Sequence, residues 1–183
     1  MFIIPGNLIA IITFPGVIVH ELAHLLFCKW CGISVYEVKY FQTATPNGYV
    51  IHERTDSPIK NLLTAMGPFF VNTLLGTLIL MPAVVCVQYG STTDFVSFLV
   101  EGLNLILIWI GGSILMHAFP SSGDAKSLVA SIMKNPAVAM IWKVIAAPFI
   151  GLIYIGSIGS MVWLDLLYAV AIGLIAPKIF LLF

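Results

Sequence analysis

Phe14-Pro15-Gly16-Val17-Ile18-Val19-His20-Glu21-Leu22-Ala23-His24-Leu25-Leu26-Phe27 is an apolar run whose only ionisable residues are His20, Glu21 and His24. It extends back to Phe2 with no Lys or Arg ahead of it and no small-residue cleavage site, so it reads as a retained membrane span and not as a removable leader. Helical pitch puts His20 and His24 on one face, one turn apart, with about 6 Å between Cβ atoms. Glu21 projects about 100° away from His20. Placing three ionisable groups in hydrocarbon costs several kcal/mol, so residues of this kind mark a site.

The rest of the chain fits the same setting. In 183 residues, 60% are hydrophobic and only 9% charged, and the mean hydropathy of +1.07 excludes a water-soluble globule. Eight Lys plus Arg balance eight Asp plus Glu, which leaves no basic surplus for nucleic acid. Residues 59–87 and 95–119 form two further apolar runs, joined by a polar, cation-free connection over 88–94, and read as an antiparallel helical pair. Residues 136–183 are nearly all apolar and divide best at Gly156-Ser157-Ile158-Gly159-Ser160. The expectation is an all-α polytopic protein of about five transmembrane helices in a single membrane domain, with a core over 1–134 and two additional helices over 135–183.

Cations orient it. Lys29, Lys39, Arg54 and Lys60 lie between the first and second runs, Lys126, Lys134 and Lys143 between the third and fourth, and Lys178 near the end. Cations are retained on the cytoplasmic side, so the N-terminus and the 88–94 connection are expected outside and the C-terminus inside the cell membrane. The one sizeable polar stretch alternates in Ser34-Val35-Tyr36-Glu37-Val38-Lys39-Tyr40 and in Gly48-Tyr49-Val50-Ile51-His52-Glu53, around the turn-forming Thr45-Pro46-Asn47-Gly48. A cytoplasmic-side β-hairpin over 34–53 is expected.

H-E-x-x-H on a helix lets one metal ion accept both imidazoles, while the Glu reaches a water on that ion without having to coordinate. The competing reading is a pair of core histidines hydrogen-bonded to neighbouring helices. With the boundary near Lys29, His24 lies about 7 Å and His20 about 13 Å inside the membrane at 1.5 Å per residue. A catalytic zinc site needs a third protein ligand. Asp124 is the leading candidate, since it follows His117-Ala118-Phe119-Pro120-Ser121-Ser122-Gly123, where Pro and Gly break a helix, and broken helices lining polar cavities carry ion ligands. Asp124 also suits a helix start, and the two roles are compatible. His117 is the rival ligand, or a group behind a ligand, or an interfacial residue. Cys28 shares the His20 face but lies about 12 Å along the axis from it. Cys28-Lys29-Trp30-Cys31 lacks the second pair of a structural zinc site and reads as packing. His52 reads as a solvated strand residue and Glu101 as a group near the outer boundary, and neither is assigned to the site. Asn72, one turn after Gly67-Pro68, needs a partner in an apolar run, either a neighbouring helix or the backbone of an unwound substrate.

The His20-Glu21-Leu22-Ala23-His24 motif, the Gly67-Pro68 segment with Asn72, and the distal Gly123-Asp124 together resemble the site-2 protease family of intramembrane zinc metalloproteases, over about the first 134 residues. In that family the Asn follows Gly-Pro after two residues and here after three, and the distal Leu-Asp-Gly is here Gly123-Asp124-Ala125. The resemblance implies zinc held by His20, His24 and Asp124, acid/base catalysis by Glu21, substrate binding by Asn72 and by the strand region ending Asn47-Gly48-Tyr49-Val50, and a transmembrane protein as substrate. The expected function is hydrolysis of a peptide bond within or beside a transmembrane helix. The alternatives are a metal-binding membrane carrier and an inactive relative that binds membrane helices.

Overall fold

The structure, a computed structural model, describes residues 6–89 and 95–182. Among these residues it comprises seven α-helices and one two-stranded antiparallel sheet. The first apolar run is not one straight span. It divides into α1 (Gly6–Ile12) and α2 (Phe14–Trp30), which meet at 90°. Pro15 is the cause: it has no N–H to offer the carbonyl one turn back, and its ring crowds that carbonyl. The Gly16 N–H turns instead to the Thr13 carbonyl at 3.0 Å, and the Ile12 carbonyl so released accepts from Trp109 Nε1 at 3.1 Å.

The strands β1 (Val35–Lys39) and β2 (Tyr49–His52) form the expected hairpin, with Val38 opposite Val50, Lys39 opposite Tyr49 and a shift of register between Val35 and Glu37. The Tyr49 hydroxyl donates to Glu37 across the ladder at 2.6 Å.

The chain then enters α3 (Pro58–Tyr89) and returns in α4 (Phe95–Met116); of the connection expected over 88–94, residues 90–94 lie outside the described residues. The pair is antiparallel and closely packed through small residues. A Cβ added at Gly111 would stand 2.8 Å from the Leu80 nitrogen, and one at Gly76 3.0 Å from the Gly111 carbonyl. Helix α4 breaks over His117 to Pro120. The next helix, α5 (Ser122–Leu128), runs into a π-helical turn (Val129–Met133), and α6 (Met140–Gly159) follows. Ala146, Ile150 and Ile153 of α6 pack with Ala125 and Leu128 of α5 and with Ala65 of α3. A 3-10 turn (Ser160–Val162) and Trp163 then lead into α7 (Leu164–Phe180), so the division expected at residues 156–160 falls at its C-terminal edge.

The last two helices are not an antiparallel pair. Helix α7 leaves α6 and packs on α3 and α4, with Thr73 Oγ1 and the Tyr168 hydroxyl 2.8 Å apart and Gly173 against Leu80. It therefore runs parallel to α3, and Lys178 stands at the opposite end of the bundle from the other seven cations. The buried Ala169, Gly173 and Pro177 make a thin face that fits between two helices, and one cation in a last turn does not outweigh that packing. Five spans are not found among the described residues. Pro58–Val87, Leu99–Met116 and Met140–Gly159 are long and apolar enough to cross a membrane, and the bent α1–α2 pair adds a fourth if taken as one. With 17 residues, α7 is about 26 Å long, short of a hydrocarbon layer of about 30 Å.

Candidate metal centre

Helix α2 crosses α3 and α4 where α4 ends, and its buried face carries His20, Glu21 and His24. Both imidazoles are anchored through Nδ1. His20 donates to the His117 carbonyl at 2.8 Å, and His24 to the Thr64 carbonyl at 3.0 Å. A carbonyl only accepts, so each Nδ1 holds the proton and each Nε2 presents a lone pair. The core-histidine reading accounts for half of each ring and leaves the other half pointing at a common place.

Asp124 supplies the third group. Ser121 caps α5, its Oγ accepting from the Asp124 N–H at 3.2 Å, and Asp124 Oδ2 accepts from the Ser121 N–H and hydroxyl, both at 2.7 Å. The helix-start role thus uses one oxygen and aims the other, Oδ1, to within 3.5 Å of His24 Nε2. One ligand atom each from His20, His24 and Asp124 lie within 4.8 Å of one another. Tetrahedral zinc with bonds of about 2.0–2.1 Å separates its ligand atoms by about 3.4 Å, so the donor set and its spacing fit that ion.

Of the contacts open to them, His117 stands behind a ligand candidate and Asn72 meets neighbouring helices. The His117 ring donates through Nδ1 to the Ser113 carbonyl at 3.0 Å and stands outside the three-ligand group; its backbone carbonyl, not its imidazole, serves the site. Asn72 is wholly buried, and its amide nitrogen donates among the carbonyls of His117 (2.9 Å), Ile114 (3.2 Å) and Gly16 (3.4 Å). It has no surface to offer a substrate; it ties α3 to α2 and α4, because a buried amide in an apolar run satisfies its donors on the nearest carbonyls. The preceding Gly67 lets Phe27 of α2 approach, since a Cβ there would stand 2.5 Å from the ring. Cys28 is fully buried and outside the ligand group, and Cys31 is half-buried; both are free thiols.

Two cavities meet at His20 and Glu21. One, of about 320 Å³, is walled by Tyr49, Val50 and His52 of β2 and by Asp124. The other, of about 360 Å³, reaches α1, His117, Ser160 and Asp165. His52 thus belongs to the wall of the site, and the period of two that puts it on the face of Val50 was the available signal. Gly48 lines both cavities, and a Cβ on it would stand 2.6 Å from Glu21 Cγ and 3.0 Å from Glu21 Oε1, so the hairpin turn rests directly on that side chain. The Asn47 side chain donates to Asn7 and ties the turn to α1. Nothing in the sequence pattern singled out Ser160 or Asp165.

Comparison of the chain with models of known protein families, with curated proteins and with solved structures returned no match.

Proposed function

We propose that the chain is an intramembrane zinc metalloprotease of the site-2 protease type, which hydrolyses a peptide bond within or beside a transmembrane helix. The observation that carries this reading is the convergence of two Nε2 lone pairs and one Asp124 oxygen beside Glu21, where two cavities meet. A metal carrier has no task for a carboxylate placed between paired ligands; a hydrolase does.

His20, His24 and Asp124 would hold zinc, which when bound would supply the Lewis acidity that lets water lose a proton near neutral pH. Glu21 takes that proton and delivers it to the leaving amine. The His117 and Thr64 carbonyls fix both imidazoles in one tautomer throughout. A substrate helix unwinds locally to expose its carbonyl, and pairing of the extended segment along the hairpin offsets part of that cost. The bundle sits in the cell membrane with the end that carries seven of its eight cations in the cytosol, so water enters the site from there.

The test is cleavage of single-span membrane proteins by the purified full chain loaded with zinc, beside its Glu21→Gln form. Glu21→Gln should retain zinc and lose at least about 100-fold in turnover. Unchanged turnover would refute the assigned chemistry, and a zinc-loaded wild type that cleaves no peptide would remove the activity.

A further inference from the structure

Three breaks in the chain meet around one chamber. The cavity of about 360 Å³ is bounded by Ile9 of α1, by His117 at the α4 break, and by Ser160 and Asp165 at the α6–α7 break, with His20 and Glu21 on the remaining wall. Irregular backbone at membrane depth is tolerated where it lines a cavity, and discontinuous helix ends are where membrane proteins receive charged groups. Trp163, between α6 and α7, adopts the left-handed conformation at φ 64 and ψ 27. A bulky residue is rarely held there unless the surroundings require it, and such residues collect at functional sites. Its effect is to start α7 so that Asp165, in the first turn, borders the chamber.

Asp165 has only part of its capacity occupied. Its Oδ1 accepts from the adjoining Leu166 N–H at 2.9 Å; the buried His117 imidazole across the chamber lies within electrostatic reach of it, and among the described residues no Lys or Arg stands within ion-pair distance. Beside it, the Ser160 hydroxyl donates to the Gly156 carbonyl at 3.1 Å, which leaves its oxygen as an acceptor. This end of the chamber is anionic and accepting, whereas Ile9 and Ala10 of α1 and Val17 of α2, elsewhere in its lining, are apolar. A side chain with an apolar stem and a cationic, donor-only head matches both parts.

We propose that this chamber is a side-chain subsite in which Asp165 selects a lysine or arginine flanking the scissile bond. The proposal rests on the metalloprotease reading for its substrate. A peptide drawn past Glu21 hangs a flanking side chain into the chamber, and a long cationic side chain reaches its anionic end while its stem stays in apolar surroundings. The plainer role of Asp165, favouring the start of α7 through the helix dipole, predicts a change in stability and none in selectivity.

The experiment compares three transmembrane peptides, identical except for Lys, Leu or Glu at the position flanking the cleaved bond, as substrates of the full zinc-loaded chain in detergent. The Lys peptide should exceed the Leu peptide in kcat/KM by at least about tenfold, as one well-placed charge contact allows. Asp165→Asn should bring the ratio to about one, Asp165→Lys should favour the Glu peptide, and Asp165→Glu should keep the lysine preference. Ratios are read within each variant, so a general loss of activity cancels. A wild type indifferent to Lys, or a lysine preference that survives Asp165→Asn, overturns the proposal. Binding of the same fluorescent peptides to Glu21→Gln, with and without Asp165→Asn, separates the two readings. Asp165-dependent lysine preference in binding, with no cleavage by the wild type, would remove the protease and keep the subsite; absence of any preference in binding removes the subsite.

Discussion

His24 Nε2 stands 3.5 Å from Asp124 Oδ1, while the other oxygen of that carboxylate is occupied by the Ser121 N–H and hydroxyl. One residue thus closes the capping box of α5 and brings its second oxygen to the two imidazoles, while His117 reaches His20 through backbone alone. Asp124→Ala should weaken zinc binding by more than about 100-fold, since even loss of a group behind a ligand costs about 10–100-fold. His117→Ala keeps the carbonyl that holds His20 and should stay within about tenfold of the wild type. Competition against a chelator of known affinity measures both. Equal losses, or the larger loss in His117→Ala, would reverse the assignment of the third ligand.

Ser121 supports that carboxylate from behind. Ser121→Ala should cost about 1 kcal/mol through the lost cap. It should also lower zinc affinity by about 10–100-fold, because Asp124 Oδ2 then lacks one of its two donors and Oδ1 is no longer aimed. Thermal unfolding without metal gives the first quantity and chelator competition the second. A variant that loses stability but binds zinc as the wild type does would show that the cap and the ligand role are independent.

Asn72 distinguishes packing from substrate binding. Its Nδ2 serves three backbone carbonyls in a buried place. Asn72→Ala should destabilise the chain by about 1–3 kcal/mol, the usual penalty for buried polar groups left without a partner. Asn72→Asp should be worse, because it sets an acceptor against three acceptors. Denaturant or thermal unfolding in detergent reads the effect, and KM should change little in whatever fraction remains folded. A large rise in KM with unchanged stability would restore the substrate-binding role.

The sequence displayed the centre of the site and hid its surroundings for identifiable reasons. His20, Glu21 and His24 are local: helical pitch alone brings them to one turn, so their spacing is legible without knowing any neighbour. The hairpin was equally legible, because alternation and the turn-forming Thr45-Pro46-Asn47-Gly48 cluster are short-range signals. Asn72 was ambiguous, since its partners, the carbonyls of Gly16, Ile114 and His117, lie 42 to 56 residues away and carry no side-chain signature. Asp165 was silent because its place depends on α7 leaving α6 and packing on α3, which the small face of Ala169, Gly173 and Pro177 decides and an evenly apolar run conceals. The first run read as one retained span, and the bend of 90° within it comes at Pro15, where an N–H is missing.

Gly48 makes the last prediction. The hairpin turn presses on Glu21 so closely that a methyl group on Gly48 would stand 2.6 Å from Cγ and 3.0 Å from Oε1. Neither the Glu21 backbone, fixed in α2, nor the turn, tied to α1 through Asn47 and Asn7, can move freely, so the Glu21 carboxylate has to swing aside. The three atoms nearest that methyl all belong to Glu21 and none to His20, His24 or Asp124. Gly48→Ala should therefore keep zinc affinity and lower kcat by about 10- to 100-fold, the loss expected when a catalytic group is misplaced by about 1 Å. Asn47→Ala, which frees the turn from α1, should partly restore kcat in the double variant, because the turn can then retreat in place of the carboxylate. Zinc content, kcat and KM measured on the two single variants and the double variant test this. A Gly48→Ala enzyme as active as the wild type would mean that the turn lifts away from Glu21 during turnover.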